Sequence, residues 1–413
     1  MTSQARSNHR YAWFVVAMLW VVCFFNYADR QALFSVFPLL QKEFRLSDVQ
    51  LGVVAACFMW MYAIFGPVAG WISDRVSRKT IILGALTFWS VVTAGTAIAQ
   101  SYWSLILFRS LGGLGEAFYF PAAMSLIGIY HGTATRSRAM ALHQSSVYAG
   151  TIAGGVVSAV IAQNYGWRRS FLLFGVLGVL LAIMLFLSLR EPLRPEKELG
   201  VKSERMGFAV SLMAVLQNLP AVVLIGVFVG ANFVAVVFLT WLPTFLQRSF
   251  HMNLADAGFH STAYLQLASV LGVLLGGVLA DAMQQRWRYA RQKVQAVSLF
   301  CGVPFLFLTG QSPTLRGFAL GMIGFGFFKG MYDANIWASL YDVIRPEHRG
   351  FATGLMNSIG WLGGGTAPIV VGVVSQHFGL AACLSATSAI YFCLAIVLVI
   401  LSRRRSRVLV TAD

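Results

Sequence analysis

Apolar residues run along this chain in long blocks rather than at alternating spacings. From Tyr11 onward, blocks of about 20 residues recur between short polar segments, each long enough to cross a hydrocarbon core of about 30 Å as a helix. The pattern predicts twelve spans. The first six run roughly 11–39, 50–73, 80–100, 102–129, 137–162 and 168–189, and the second six roughly 219–247, 256–280, 293–310, 316–342, 350–376 and 380–402. Membrane-spanning strands would be about 10 residues long with alternating polarity, and these blocks are longer and uniformly apolar. The expected fold is therefore an all-α polytopic membrane protein.

Composition agrees with that reading. The chain of 413 residues is 58% hydrophobic and 11% charged, where a soluble domain carries about 25% charged residues. The net charge of +16 would suit nucleic acid or anionic lipid if it were spread over one surface. It is not. With the N-terminus inside, most basic residues fall in inner segments, such as Arg75, Arg78 and Lys79, the Arg190 to Arg205 stretch, and Arg403 to Arg407. The outer loops hold Lys42, Arg45, Arg168, Arg169, Arg248 and Arg316. By the positive-inside rule both termini are cytoplasmic, so the charge reports topology, and nucleic acid is not an expected partner. The first apolar block is too long for the core of a signal peptide, so no cleavage is expected. Cys23, Cys57, Cys301, Cys383 and Cys393 all lie in spans without metal-ligand spacing.

The longest polar connection, "REPLRPEKELGVKSERM" from Arg190, splits the spans six and six. The domain reading is a first bundle over 1–189, a cytoplasmic linker and amphipathic segment over 190–218, and a second bundle with a basic tail over 219–413. A weak repeat crosses the linker: "GWISDR" from Gly70 answers to "GVLADA" from Gly277, and Arg138 to Arg349. Parallel halves of this kind place a substrate site between them near the midplane.

Charges inside the apolar blocks carry the chemistry. A charge at the bilayer centre costs about 2.5–3.5 kcal/mol even on insertion scales, so those retained face partners or a cavity. Arg109 and Glu116, in "RSLGGLGEAFYFP", are seven residues apart, hence on one helix face and about 10.5 Å apart along the axis. They cannot pair with each other, and Asp29 and Arg30, with Asn26 and Tyr27, are the expected partners. Lys329 and Asp333 stand at i and i+4 and can pair on their own helix. Aligning "AMSL" at Ala123 with "WASL" at Trp337 places Lys329 level with Gly115, beside Glu116, which makes it a candidate second cation. "GFGFFKG" from Gly324 mimics a phosphate loop, but that motif needs a strand before it. His143, Gln144, Tyr148, Tyr264, Gln266, Asn357 and Trp361 are further candidates for a polar lining.

"GWISDRVSRK" (Gly70 to Lys79) resembles the loop 2–3 signature of the major facilitator superfamily, G-x-x-x-D-R-x-x-R-[RK]. "NYADRQALFSVFPLLQKEF" from Asn26, "GLGEAFYFPA" from Gly113 and "FLTWLPTFL" from Phe238 further resemble the anion:cation symporter family. "NYADR", "GLGEA" and "REP" also resemble the spinster-like lysolipid transporters. The fifth span reads "VYAGTIAGGVVSA", without the Gly-Pro pair of drug/proton antiporters.

The resemblance implies two six-helix bundles and proton-coupled transport of a small organic anion by alternating access. The alternative it implies is transport of a lysophospholipid or other amphipathic anion. It implies proton coupling at Glu116 and then Asp29, since burial disfavours a carboxylate and a nearby arginine favours it, so a moving arginine can load and release a proton. It implies substrate binding at Arg30, whose planar fork suits carboxylate or phosphate, with Arg109, Tyr27, Asn26, Gln144, Tyr148, Lys329, Asp333, Asn357 and Trp361. Where the anion symporters often carry two tyrosines in span seven, this chain has Asn232, Phe233 and Val236, which disfavours a polyhydroxy sugar acid. Gly70, Asp74, Arg75, Arg78, Arg138 and Asp281 are the expected gating residues, with a weaker latch in the second half, where Ala282 replaces the arginine. No cofactor or metal is implied, the chain is read as a monomer, and the location as the cell inner (plasma) membrane. A membrane sensor would need a signalling domain, which the short loops do not supply, and no nucleophile, base and oxyanion set suggests an enzyme.

Overall fold

The computed structural model describes residues 3–73, 76–131, 135–190, 208–284, 286–287, 289–345 and 348–410. They form helices in this order: α1 (Ser3–Ser35), α2 (Phe37–Phe44), α3 (Asp48–Ser73), α4 (Arg78–Thr96), α5 (Tyr102–Ala117), α6 (Tyr119–Tyr130) and α7 (Arg136–Tyr165). Then follow α8 (Trp167–Ser188), α9 (Phe208–Leu216), α10 (Leu219–Phe250), α11 (Leu254–Gln284), α12 (Ala290–Gln311), α13 (Leu315–Tyr341) and α14 (Arg349–Val410). Among the described residues, nine helices are long and apolar enough to cross a membrane. The protein is thus an all-α polytopic membrane protein.

Prolines explain two interruptions in the apolar blocks. Pro38 opens α2 after the break at Val36, the first-turn position where its missing N–H costs nothing. Pro121 cannot donate to the Ala117 carbonyl, and its ring crowds that group. The block predicted as one span over 102–129 accordingly divides at Phe118 into α5 and α6. Glu116 therefore sits in the last turn of α5.

Two glycines mark corresponding points of the sequence repeat. Gly166, between α7 and α8, has φ 88°, and Gly379, which interrupts α14, has φ 77°. With ψ of 148° and 161°, both lie in a region that only glycine occupies readily. Their contexts, "QNYG" and "QHFG", match as well.

The chain divides into two compact units. The first comprises Met1–Arg45, Cys57–Arg205 and Asn253–Gly258, and the second Leu46–Ala56, Met206–Met252 and Phe259–Asp413. The short segment Leu46–Ala56 joins the second unit because a Cβ on Gly52 would meet the Pro368 carbonyl oxygen at 2.5 Å, and one on Gly372 the Asp48 carbonyl oxygen at 2.6 Å. Likewise a Cβ on Gly258 would meet the Gly155 carbonyl oxygen at 2.5 Å, within the first unit.

Within the first unit, apolar side chains such as Leu19, Trp89, Tyr119, Leu126 and Leu185 form a core between α1, α4, α6 and α8. Lipid offers little hydrophobic drive to such packing, so close contact between small residues matters more. Positions 150 and 154 of α7 abut Phe24 and Ala28 of α1, and position 113 of α5 abuts Phe58 of α3. In the second unit α10 and α12 pack on α14, and α12 on α13. Leu172, Phe186 and Leu187 in the first unit, and Leu274 and Val278 in the second, project outward, as a surface solvated by acyl chains requires. The helix within the predicted amphipathic segment, α9, is apolar on every side apart from Ser211.

The crossing of α3 and α5 gives a direct test. A Cβ at position 113 would lie 2.2 Å from the Phe58 carbonyl oxygen, whereas one at position 128 meets nothing within 4 Å. Gly113→Ala should lower stability by about 1–3 kcal/mol, and Gly128→Ala should leave it near wild type. Thermal unfolding of the two purified variants checks this.

Candidate functional site

Four helices of the first unit bring its intramembrane charges together. α1 supplies Asn26, Tyr27, Asp29 and Arg30, α3 supplies Phe58 and Tyr62, α4 supplies Thr93, and α5 supplies Arg109 and Glu116. The Arg30 Nε donates to Glu116 Oε2 at 2.6 Å, with side chains only 9% and 0% exposed. Around the same guanidinium stand the rings of Tyr27, Phe58 and Tyr62, at 4.8, 4.9 and 4.6 Å from their centroids. Arg109 also lies over Phe58, at 4.5 Å. Two cations thus share one ring, each desolvated contact being worth about 2 kcal/mol. Gly113 lets α5 approach the Phe58 backbone closely, and this places Phe58 within reach of both arginines.

The expected partnership holds for one pair and not for the other. Glu116 takes Arg30. Asp29 instead accepts a hydrogen bond from Thr93 Oγ1 at 2.5 Å, and no carboxylate lies within ion-pair distance of Arg109 among the described residues. Asp29 Oδ1, Glu116 Oε1, Arg109 Nε and Asn26 Nδ2 are all buried without a hydrogen-bond partner. Buried polar atoms are normally satisfied. A concentration of unsatisfied ones around an ion pair gives this cluster bonding capacity that its own side chains do not use.

Phe58, Tyr62 and Thr93 are site residues that the sequence reading missed. Phe58 and Tyr62 stand at i and i+4 and their rings stack at 6.4 Å, a spacing visible in "CFMWMYAIF" but common to any helix packed in a core. His143 is also fully buried; its Nε2 lies 2.9 Å from Tyr119 Oη, which donates to the Leu19 carbonyl. That places His143 between helices rather than on a polar lining. Gln144 on the same helix is exposed, and Tyr148 is half-buried.

The second unit holds the other candidates. Lys329 Nζ donates to Asp333 Oδ2 on its own helix, and both side chains remain partly exposed. Asn357 and Trp361 of α14 are half-buried. Asn232 spends its amide on the Gly360 carbonyl at 2.7 Å, and Val236 is buried, so that part of α10 offers few hydrogen bonds to a ligand.

Of the expected gating residues, Asp74 and Arg75 lie outside the described residues. Gly70 has open space around it. Arg78 is buried and donates to Ser125 Oγ at 3.0 Å, tying α4 to α6, while Arg138 is exposed. Asp281 is held by Arg291, which also grips Asp342 at 2.9 Å, so one arginine joins the ends of α11, α12 and α13.

The family model described as Major Facilitator Superfamily matches residues 19–313 and 246–412. Over 402 residues the chain is 28% identical to the probable galactarate/D-glucarate transporter GudP of Bacillus subtilis (strain 168), covering 89% of this chain and 86% of that protein. It is 28% identical over 392 residues to protein spinster homolog 1 of Homo sapiens, covering 88% and 73%. Among solved structures, a bacterial homologue of the human lysosomal transporter Spinster, in an inward-facing and unoccupied conformation, is similar with a TM-score of 0.79. That likeness spans 95% of this chain and 96% of that one at 21% identity, and it bears on the fold alone.

The ion pair makes a stability prediction. Arg30→Met strands the Glu116 carboxylate and should destabilise by about 3–5 kcal/mol, whereas the double change Arg30→Met with Glu116→Gln removes the stranded charge and should recover most of that loss. Arg109→Met, which breaks no ion pair, should cost less than Arg30→Met. Chemical or thermal unfolding in detergent distinguishes the three.

Proposed function

The chain belongs to the Major Facilitator Superfamily and is a membrane transporter, and we propose that its cargo is an amphipathic organic anion, an acidic head on an apolar body. Twelve spans in two six-helix bundles, with both termini cytoplasmic in the cell inner membrane, would carry it by alternating access. The observation that carries this reading is the aromatic wall around the cations: Arg30 is enclosed by Tyr27, Phe58 and Tyr62, and Phe58 also bears Arg109. Such a site offers charge to one end of a ligand and carbon to the rest. The likeness to protein spinster homolog 1 and the resemblance of "NYADR" and "GLGEA" to spinster-like lysolipid transporters support it.

A smaller, fully polar carboxylate is the second reading, supported by the relative named for galactarate and D-glucarate. Asn232 and Val236 weigh against it, because a sugar acid needs many hydrogen-bonding partners and these positions supply few.

Proton coupling follows from competition for one guanidinium. Arg30 holds Glu116, and an arriving anion seeks the same fork. When the anion takes Arg30, Glu116 is left without its ion pair in a dry site, where a carboxyl group is most stable neutral. Anion and proton would then bind together, with Asp29 and its Thr93 contact as a second protonatable position. Arg109 would supply further positive charge to the anion.

Flux into proteoliposomes tests these statements. A lysophospholipid or long-chain carboxylate should be carried, and accumulated when a pH gradient is imposed, while galactarate is carried poorly. Glu116→Gln should abolish the gradient-driven accumulation yet keep part of the exchange at equal pH. Transport of galactarate without transport of amphipathic anions would replace the first reading by the second. Gradient-driven accumulation by Glu116→Gln at the wild-type level would remove Glu116 from the coupling.

A further inference from the structure

A second polar feature lies in the other unit, where α10 begins and α13 ends. Leu219 opens α10 and Tyr341 closes α13, so the place is the end of two apolar helices and hence the level of a bilayer surface. Asn218 fixes it: its Nδ2 donates to the Val343 carbonyl at 2.7 Å, and its Oδ1 caps the Ala221 N–H. Between these elements is a cavity of about 580 Å³ whose polar lining includes Gln217, Arg345 and His348, with Leu219, Pro220 and Ile344 as its apolar part.

Arg345 gives the cavity its positive charge, and among the described residues no acidic side chain pairs with it. Asp342, the acidic residue three positions before Arg345, is occupied by Arg291 at 2.9 Å. His348 is buried and its Nδ1 lies 3.2 Å from Ser211 Oγ of α9, which leaves Nε2 without a bond among the described residues. Beside the cavity, α9 presents Phe208, Met213 and Leu216 at 70%, 61% and 58% exposure, and Leu219 continues that face at 59%. A water-facing helix would not keep such a face, and a bilayer surface would cover it.

We propose that this cavity binds the phosphate headgroup of an anionic phospholipid, with the acyl chains lying along the exposed face of α9. Arg345 supplies the fork for the phosphate, His348 and Gln217 supply further hydrogen bonds, and Pro220 and Ile344 meet the glycerol carbons. Basic pockets at the ends of transmembrane helices suit such headgroups. The site belongs to the second unit and shares no residue with the Arg30 cluster, so it stands whichever cargo the transporter carries.

The test uses the full chain, purified and delipidated in detergent, with short-chain phosphatidylglycerol as the probe and the unfolding midpoint as the readout. The midpoint should rise saturably with the probe. Arg345→Ala should weaken the probe by roughly fivefold, the scale of one basic residue at a membrane surface, and Arg345→Lys should restore part of it. Met213→Glu, on the exposed face of α9, should weaken the probe as well, whereas Arg316→Ala, exposed at the opposite end of α13, should leave its affinity unchanged. The proposal is overturned if Arg345→Ala binds like the wild type, if Arg316→Ala weakens the probe as much as Arg345→Ala, or if inorganic phosphate alone reproduces the full shift.

Discussion

The contact between Arg30 and Glu116 constrains how α1 and α5 can pack in the first unit. Two full charges in an apolar interior are tolerable only when they meet closely and their helices cannot drift apart. The 2.6 Å separation therefore requires that α1 and α5 be held in register by their neighbours. Small residues do this. Gly150 and Gly154 let α7 lie against the α1 backbone beside Phe24 and Ala28, and Gly113 lets α5 lie against α3 beside Phe58. The glycines of "GLGEA" thus set the position of the carboxylate that follows them, and Pro121 ends the helix just beyond it.

Much of this was legible from spacing and little from residue type. The seven-residue interval between Arg109 and Glu116 correctly implied that neither could satisfy the other. That Glu116 would find Arg30 was also readable, because span one carries few other charges. The fate of Asp29 was not. Its partner, Thr93, is a hydroxyl in the last turn of α4, and a threonine in an apolar run looks the same whether it bonds a neighbouring helix or its own backbone. Phe58 and Tyr62 were hidden for a similar reason, since aromatic residues are expected in any span. The transfer of Leu46–Ala56 to the second unit depends on contacts with residues more than three hundred positions away, and no local pattern reports such distances.

The internal repeat is preserved in backbone geometry more faithfully than in charge. Gly166 and Gly379 share an unusual conformation at matching points, so a turn between consecutive helices has been kept in both halves. The charged contacts have diverged. Arg78 in the first unit reaches a serine hydroxyl on α6, whereas Asp281 in the second is tied by Arg291 to Asp342. The expectation of a weaker latch at Asp281 came from the missing arginine at position 282. Arg291 of α12 supplies a cation from elsewhere in the fold, which a comparison of short motifs could not anticipate.

Aromatic enclosure of the cations has a consequence for how an anion could be released as well as bound. Rings stabilise a guanidinium without neutralising it, so Arg30 and Arg109 keep their attraction for an acid while losing much of their hydration cost. Of these two arginines only Arg30 is paired with a carboxylate among the described residues, since Asp29 is engaged by Thr93. On the proposed reading, the balance between Glu116 and the cargo at Arg30 is then set by protonation alone. A proton on Glu116 removes the competitor, and its departure restores the competitor and expels the anion. The unsatisfied second oxygen of each carboxylate fits that cycle, because a proton can settle on an oxygen that no donor already occupies, and a fully bonded carboxylate would resist the change.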